Sequence, residues 1–164
     1  MEEFVISPPA AILYVAAATL SVAVVSVALT KGTLVRKGIA MGIVLLALAA
    51  SLAFFYRPVT ISVDGDGLTI SGVGGAQLGW DQVTSAVYVS DLRASAFRPT
   101  VRTRGFALGE YRSGRFLLSN GEAARVITEQ SRHAVVVRTA ERVFLLGPEN
   151  AERLAAAVDR HRVY

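Results

Sequence analysis

The chain has no cysteine, so disulfides and thiolate metal sites are excluded, and cysteine usage carries no mark of a redox compartment. Histidine is nearly as scarce. His133 and His161 lie far apart and belong to no motif that would join them to a nucleophile or a metal. There is no glycine-rich phosphate loop with a lysine and no His-Glu zinc helix, and Gly109 to Gly114 lacks a strand-turn-helix context. These absences predict neither catalysis nor a bound cofactor or metal. Charge is missing from two long runs, Ala10 to Leu29 and Gly38 to Tyr56, each close to the roughly 20 residues that cross a bilayer as a helix.

The runs predict a transmembrane hairpin over residues 1–57, with spans at about 8–30 and 38–56 joined by a basic loop at 31–37. That loop holds both lysines, Lys31 and Lys37, together with Arg36. The chain opens acidic, Met1-Glu2-Glu3, and then runs apolar for longer than a cleavable signal peptide, so the first span is expected to stay in place. Counting basic residues in the short flanks puts the hairpin loop in the cytoplasm and the following domain outside it, as in a multi-pass protein of the cell membrane. Arg57 pulls the other way. Gly38 and Gly42 let another helix come close to the second span. Packing against the first span is the favoured reading, because a short loop forces the two together, and an oligomer contact is the alternative.

From Val59 onward the pattern changes to alternation. Val59, Ile61 and Val63 face one way with Thr60 and Ser62 between them, and Leu68 and Ile70 repeat this beyond a turn at Asp64-Gly65-Asp66-Gly67. A calcium loop competes for the two aspartates, but the further ligands of a twelve-residue loop are missing. More strands are expected at 76–80, 83–90, 114–118, 123–128, 134–139 and 142–146, spaced as in a sandwich or barrel. Gly147-Pro148 ends the last, and Ala151, Leu154, Ala155 and Val158 then form the apolar stripe of a helix. Residues 58–164 are enough for one domain with its own core.

About seven strands closed by one helix is the plan of a pleckstrin-homology-like barrel, and particular residues carry the likeness further. The stretch Arg104-Gly105-Phe106-Ala107-Leu108-Gly109-Glu110-Tyr111-Arg112-Ser113-Gly114-Arg115-Phe116, followed by Leu118-Ser119-Asn120-Gly121, resembles the bacterial PH-domain family of small membrane proteins. Val143 to Leu146 after Arg138-Thr139, and Pro148 to Leu154 at the helix, resemble it too. The resemblance implies a mainly-β, PH-like barrel after the hairpin and is nearly silent about activity. Phosphoinositide-binding relatives place cations around the loop joining the first two strands, where this chain has two aspartates. The resemblance therefore does not extend to that ligand.

The basic feature that remains runs from Asp91 to Arg115, where Arg93, Arg98, Arg102, Arg104, Arg112 and Arg115 face only Asp91 and Glu110. Arginine grips phosphate and carboxylate in a bidentate fashion, so a long loop touching anionic lipid or an acidic protein partner is expected, beside the plainer reading of solvated surface. Phe97, Phe106 and Tyr111 among them raise stacking on nucleic acid, yet the domain is too weakly basic for that partner. A membrane-anchored binding or scaffolding module follows. The alternative is a structural subunit of a transporter or envelope complex.

Overall fold

The computed structural model describes residues 1–29, 32–55, 58–72, 75–129 and 132–162. Lys31 of the expected basic loop, Tyr56, the flanking Arg57, and Val73-Gly74 of one expected turn lie outside the described residues. The chain divides into two compact units, Pro8–Arg57 and Met1–Ser7 with Pro58–Tyr164.

The first unit is a helical hairpin of α1 (Ala11–Leu29) and α2 (Leu34–Phe55). Leu34 to Lys37, expected in the loop, form the first turn of α2, where the Lys37 amide donates to the Thr33 carbonyl at 3.1 Å. Nothing after Gly32 breaks a helix, and Thr33 suits the position that begins one. Among the described residues no helix is long and apolar enough to cross a membrane. The expected transmembrane spans are thus found only as a helical hairpin. At 19 residues α1 reaches about 28 Å, just short of a hydrocarbon core of ~30 Å, and α2 carries Arg36 and Lys37 in its first turn. The hydroxyls of Thr19, Ser21 and Ser26 donate to carbonyls four residues back, at 2.8, 3.0 and 2.8 Å, so these three are satisfied within α1. Among the described residues a Cβ added at Gly38 or Gly42 would meet nothing within 4 Å. The two glycines therefore do not form the expected seam with α1. They open onto the free side of α2.

Among the described residues the second unit holds ten strands in two sheets. One sheet has the order β1-β2-β3-β4, from β1 (Glu2–Ile6), β2 (Val59–Val63), β3 (Gly67–Ile70) and β4 (Ala76–Gly79). The other has the order β5-β9-β10-β8-β7-β6, from β5 (Val83–Val89), β6 (Pro99–Leu108), β7 (Tyr111–Leu118), β8 (Ala123–Thr128), β9 (Ala134–Thr139) and β10 (Val143–Gly147). Helix α3 (Ala151–Arg162) follows and packs against β5 and β9. Two helices, a mainly-β domain and a C-terminal helix fit a PH-like fold, but neither sheet closes into the expected barrel. The chain turns a corner at Trp80-Asp81-Gln82 and leaves β4 and β5 in different sheets, so the hydrogen bonds that would complete a ring are not made.

Two strands were not anticipated. β1 pairs antiparallel with β2, Ile6 opposite Val59, which places the two chain connections of the helical hairpin on neighbouring strands. β6 falls in the middle of what reads as an arginine-rich loop. It is the edge of the six-stranded sheet and most of its residues are exposed, so it has no alternating buried face to reveal it.

The main core lies between the sheets and α3. It joins Ile6, Ile61 and Leu68 of one sheet to Phe144 and Leu146 of the other and to Leu154 of the helix. Each such side chain, fully buried, contributes about 1.5–3 kcal/mol. A second core covers the opposite face of the larger sheet, where Leu92 joins Phe116, Leu118 and Val126, and Phe97 packs against them from the β5–β6 connection. Several contacts pin that connection. Asp91 Oδ1 accepts the amides of Arg93 and Ala94 at 3.0 and 3.2 Å, the Leu92 amide donates to the Arg132 carbonyl at 2.7 Å, and the Arg138 guanidinium lies 5.5 Å from the Phe97 ring centre.

Candidate binding surface

The hairpin of β6 and β7 carries four of the six arginines singled out in the sequence, and its shape decides where they go. Gly105 and Gly114 face each other across it, with φ of 109° and 147°. A Cβ at Gly114 would sit 2.2 Å from the Arg104 carbonyl oxygen, and one at Gly105 would sit 2.3 Å from that of Ser113. Only glycine permits this approach. Register shifts between Pro99 and Val101 and between Arg102 and Arg104 add two irregularities. The hydroxyls of Thr100 and Thr103 there donate to the Leu117 and Arg115 carbonyls at 2.9 and 3.0 Å. An extended strand of ten residues spans about 33 Å, yet the tip residues Gly109 and Glu110 share a cleft with Arg98 and Thr100. The hairpin is therefore curled, and Glu110 at its tip pairs with Arg93 of the β5–β6 connection.

Curling sorts the arginines onto two faces. Arg93, Arg98 and Arg112 line a cleft of about 470 Å³ on the side of the second core, with Glu110 among them. Arg102, opposite Phe116, belongs to that side. Arg104 and Arg115 are opposite one another on the other face, the one that carries Tyr111, Ile127 and Phe144. The six are thus not one patch. Arg125 of β8, which the sequence reading passed over, lies opposite Arg115. The pKa of its guanidinium is lowered, first by burial and then by the nearby charges of Arg115 and Arg142. An arginine inside a strand between Ala124 and Val126 gives no sequence signal, because only register brings it to the others.

Other titrating groups gather near the sheet. Burial pushes the Tyr111 phenol up, a hydrogen bond with Ser113 opposes this, and the Glu129 carboxylate adds to the rise. Glu129 is itself held above the usual carboxylate range by burial and by the charge of Glu149. Glu122 moves the other way. A hydrogen bond from Asn120 is the main cause, and Arg138 adds to it through paired contacts of 2.8 and 2.7 Å.

The remaining singled-out residues have structural places. Asp64 Oδ1 accepts the amides of Asp66 and Gly67 at 3.0 and 3.1 Å, which makes the acidic loop a hydrogen-bonded hairpin turn. The Trp80 indole donates to the Asp64 carbonyl at 3.0 Å and stacks on His161, ring centres 5.7 Å apart. His133 Nε2 lies 3.0 Å from the Glu149 carbonyl oxygen. Among the described residues no group of three or more histidines and carboxylates is arranged to hold a metal ion.

No curated protein and no solved structure matches the chain. The family model described as bacterial PH domain matches residues 59–162, which takes in every strand from β2 to β10 and all of α3. The chain belongs to the bacterial PH-domain family.

Proposed function

We propose that this chain is a non-catalytic binding or scaffolding module, held at a membrane by its helical hairpin and contacting a protein partner or anionic lipid through the arginines on the cleft side of the curled β6–β7 hairpin. The observation that carries the anchoring is the surface of the two helices. α1 has no charged side chain, Tyr14 and Val22 are 77% and 68% exposed, and on α2 Ile43 and Leu46 are 63% and 73% exposed. A helix that is apolar on all sides needs apolar surroundings. The pairing of β1 with β2 supports an even number of crossings, since β1 precedes the first helix and β2 follows the second. The basic flanks favour an extracytoplasmic domain. Contact through arginine is supported by the cleft of Arg93, Arg98 and Arg112, where the single carboxylate of Glu110 leaves net positive charge.

The full chain should stay with the membrane through alkaline carbonate washing, and release into the supernatant would refute anchoring. Replacing Arg98, Arg102 and Arg112 by glutamate should weaken both capture of partners and adhesion to anionic vesicles; if both are unchanged, the cleft is not the contact. A structural subunit is the second reading, favoured by Gly38 and Gly42, whose free side leaves room for a helix of another chain. Bulky residues at both should then abolish co-purification with the complex while the β domain stays folded.

A further inference from the structure

The face of the larger sheet turned toward α3 carries a row of arginines that runs across the strands rather than along one. Arg104 of β6 is opposite Arg115 of β7, and Arg115 is opposite Arg125 of β8. Arg142, two residues before Phe144 at the start of β10, adds its charge at Arg125. Arg125 is half-buried, and the others are exposed. Directly opposed like charges destabilise a sheet. Here two such pairs stand side by side, and among the described residues no carboxylate forms an ion pair with Arg104, Arg115 or Arg142.

We propose that the Arg104–Arg115–Arg125 row, closed by Arg142, is a binding site for the phosphate group of a multiply charged anion. Spacing decides the ligand class. Neighbouring strands are about 4.8 Å apart, so the row concentrates at least three cations within roughly 10 Å. A peptide added along the β6 edge would run parallel to that strand, with its same-face carboxylates about 6.6 Å apart, and would meet Arg104 while leaving Arg115 and Arg125 unmatched. A phosphate or diphosphate group carries two or more charges on closely spaced oxygens and accepts several bidentate guanidinium contacts at once. The site lies across the sheet from the Arg93–Arg98–Arg112 cleft and depends neither on that cleft nor on membrane anchoring.

The test uses the full chain in neutral detergent, titrated with inorganic pyrophosphate and followed by the Nε–H resonances of its arginines. In parallel, the chain is placed in nanodiscs of neutral lipid with or without phosphatidic acid. Shifts of Arg104, Arg115 and Arg125 with pyrophosphate identify a soluble phosphate ligand; shifts only with phosphatidic acid identify a lipid headgroup. Arg115→Gln should weaken the effective ligand about tenfold or more. Arg115→Lys should fall between, keeping the charge and losing the bidentate grip. Arg153→Gln, on α3, should change affinity less than twofold. Because Arg115→Gln relieves two like-charge pairs, its thermal midpoint without ligand should rise, which separates lost binding from lost folding. Absence of these shifts with both ligands, or equal weakening by Arg153→Gln, overturns the proposal.

Discussion

Replacing Gly114 by alanine tests the geometry on which both arginine groupings depend. Two penalties act there. At φ of 147° an L side chain costs about 1–3 kcal/mol in backbone strain. The new Cβ would also lie 2.2 Å from the Arg104 carbonyl oxygen and 2.7 Å from Gly105 Cα, and both are backbone atoms that cannot rotate aside. Relief requires the two strands to part there, at roughly 1 kcal/mol for each ladder hydrogen bond lost. The expected sum is about 3–5 kcal/mol, a large share of the roughly 5–15 kcal/mol that holds a domain together. Gly121 supplies the control. Its φ is 82° and among the described residues a Cβ there would meet nothing within 4 Å, so Gly121→Ala carries the strain alone. Denaturant melting of both variants gives the difference, and hydrogen exchange in β6 and β7 shows whether the Glu110 tip leaves Arg93. If Gly114→Ala costs no more than Gly121→Ala, the cross-strand contact is not what shapes the hairpin.

Two carboxylates should respond to pH in opposite senses. Glu129 has a raised pKa in the fold, so it carries a stability penalty that is absent in acid and grows as pH rises through its folded value. Glu129→Gln should therefore melt higher than the parent at neutral pH, with the gap closing in acid. Glu122 has a lowered pKa, and its contribution is present above the ordinary carboxylate range and lost as pH falls through the folded value. Glu122→Gln should melt lower at neutral pH, and the difference should vanish in acid; equal loss at every pH would mean the Arg138 pairing does not matter. Leu154 is fully buried between α3 and the sheets, so Leu154→Ala should cost about 2–5 kcal/mol by thermal or denaturant melting. A loss under 1 kcal/mol would mean that α3 does not seal the core.

Much of the architecture could be read along the chain, because period and punctuation are local. Alternation at Val59, Ile61 and Val63, the Asp-Gly turn, and the stripe of Leu154 and Val158 each follow from residues close in sequence, and they lead to β2, β3 and α3. The two charge-free runs likewise announce the helical hairpin. Residues that pair at a distance were not legible. β1 gains its partner some fifty residues later, and β6 exposes most of its residues, so neither shows a pattern that marks a strand. The same holds for the site. Sequence proximity gathered Arg93 to Arg115 into one stretch, whereas a curled hairpin and antiparallel register divide them between two faces and add Arg125. Composition and periodicity fixed the kinds of element present, since each depends on a side chain and its near neighbours. Tertiary structure alone decided that the sheets stay open and which arginines meet, since those depend on which backbone edges find one another.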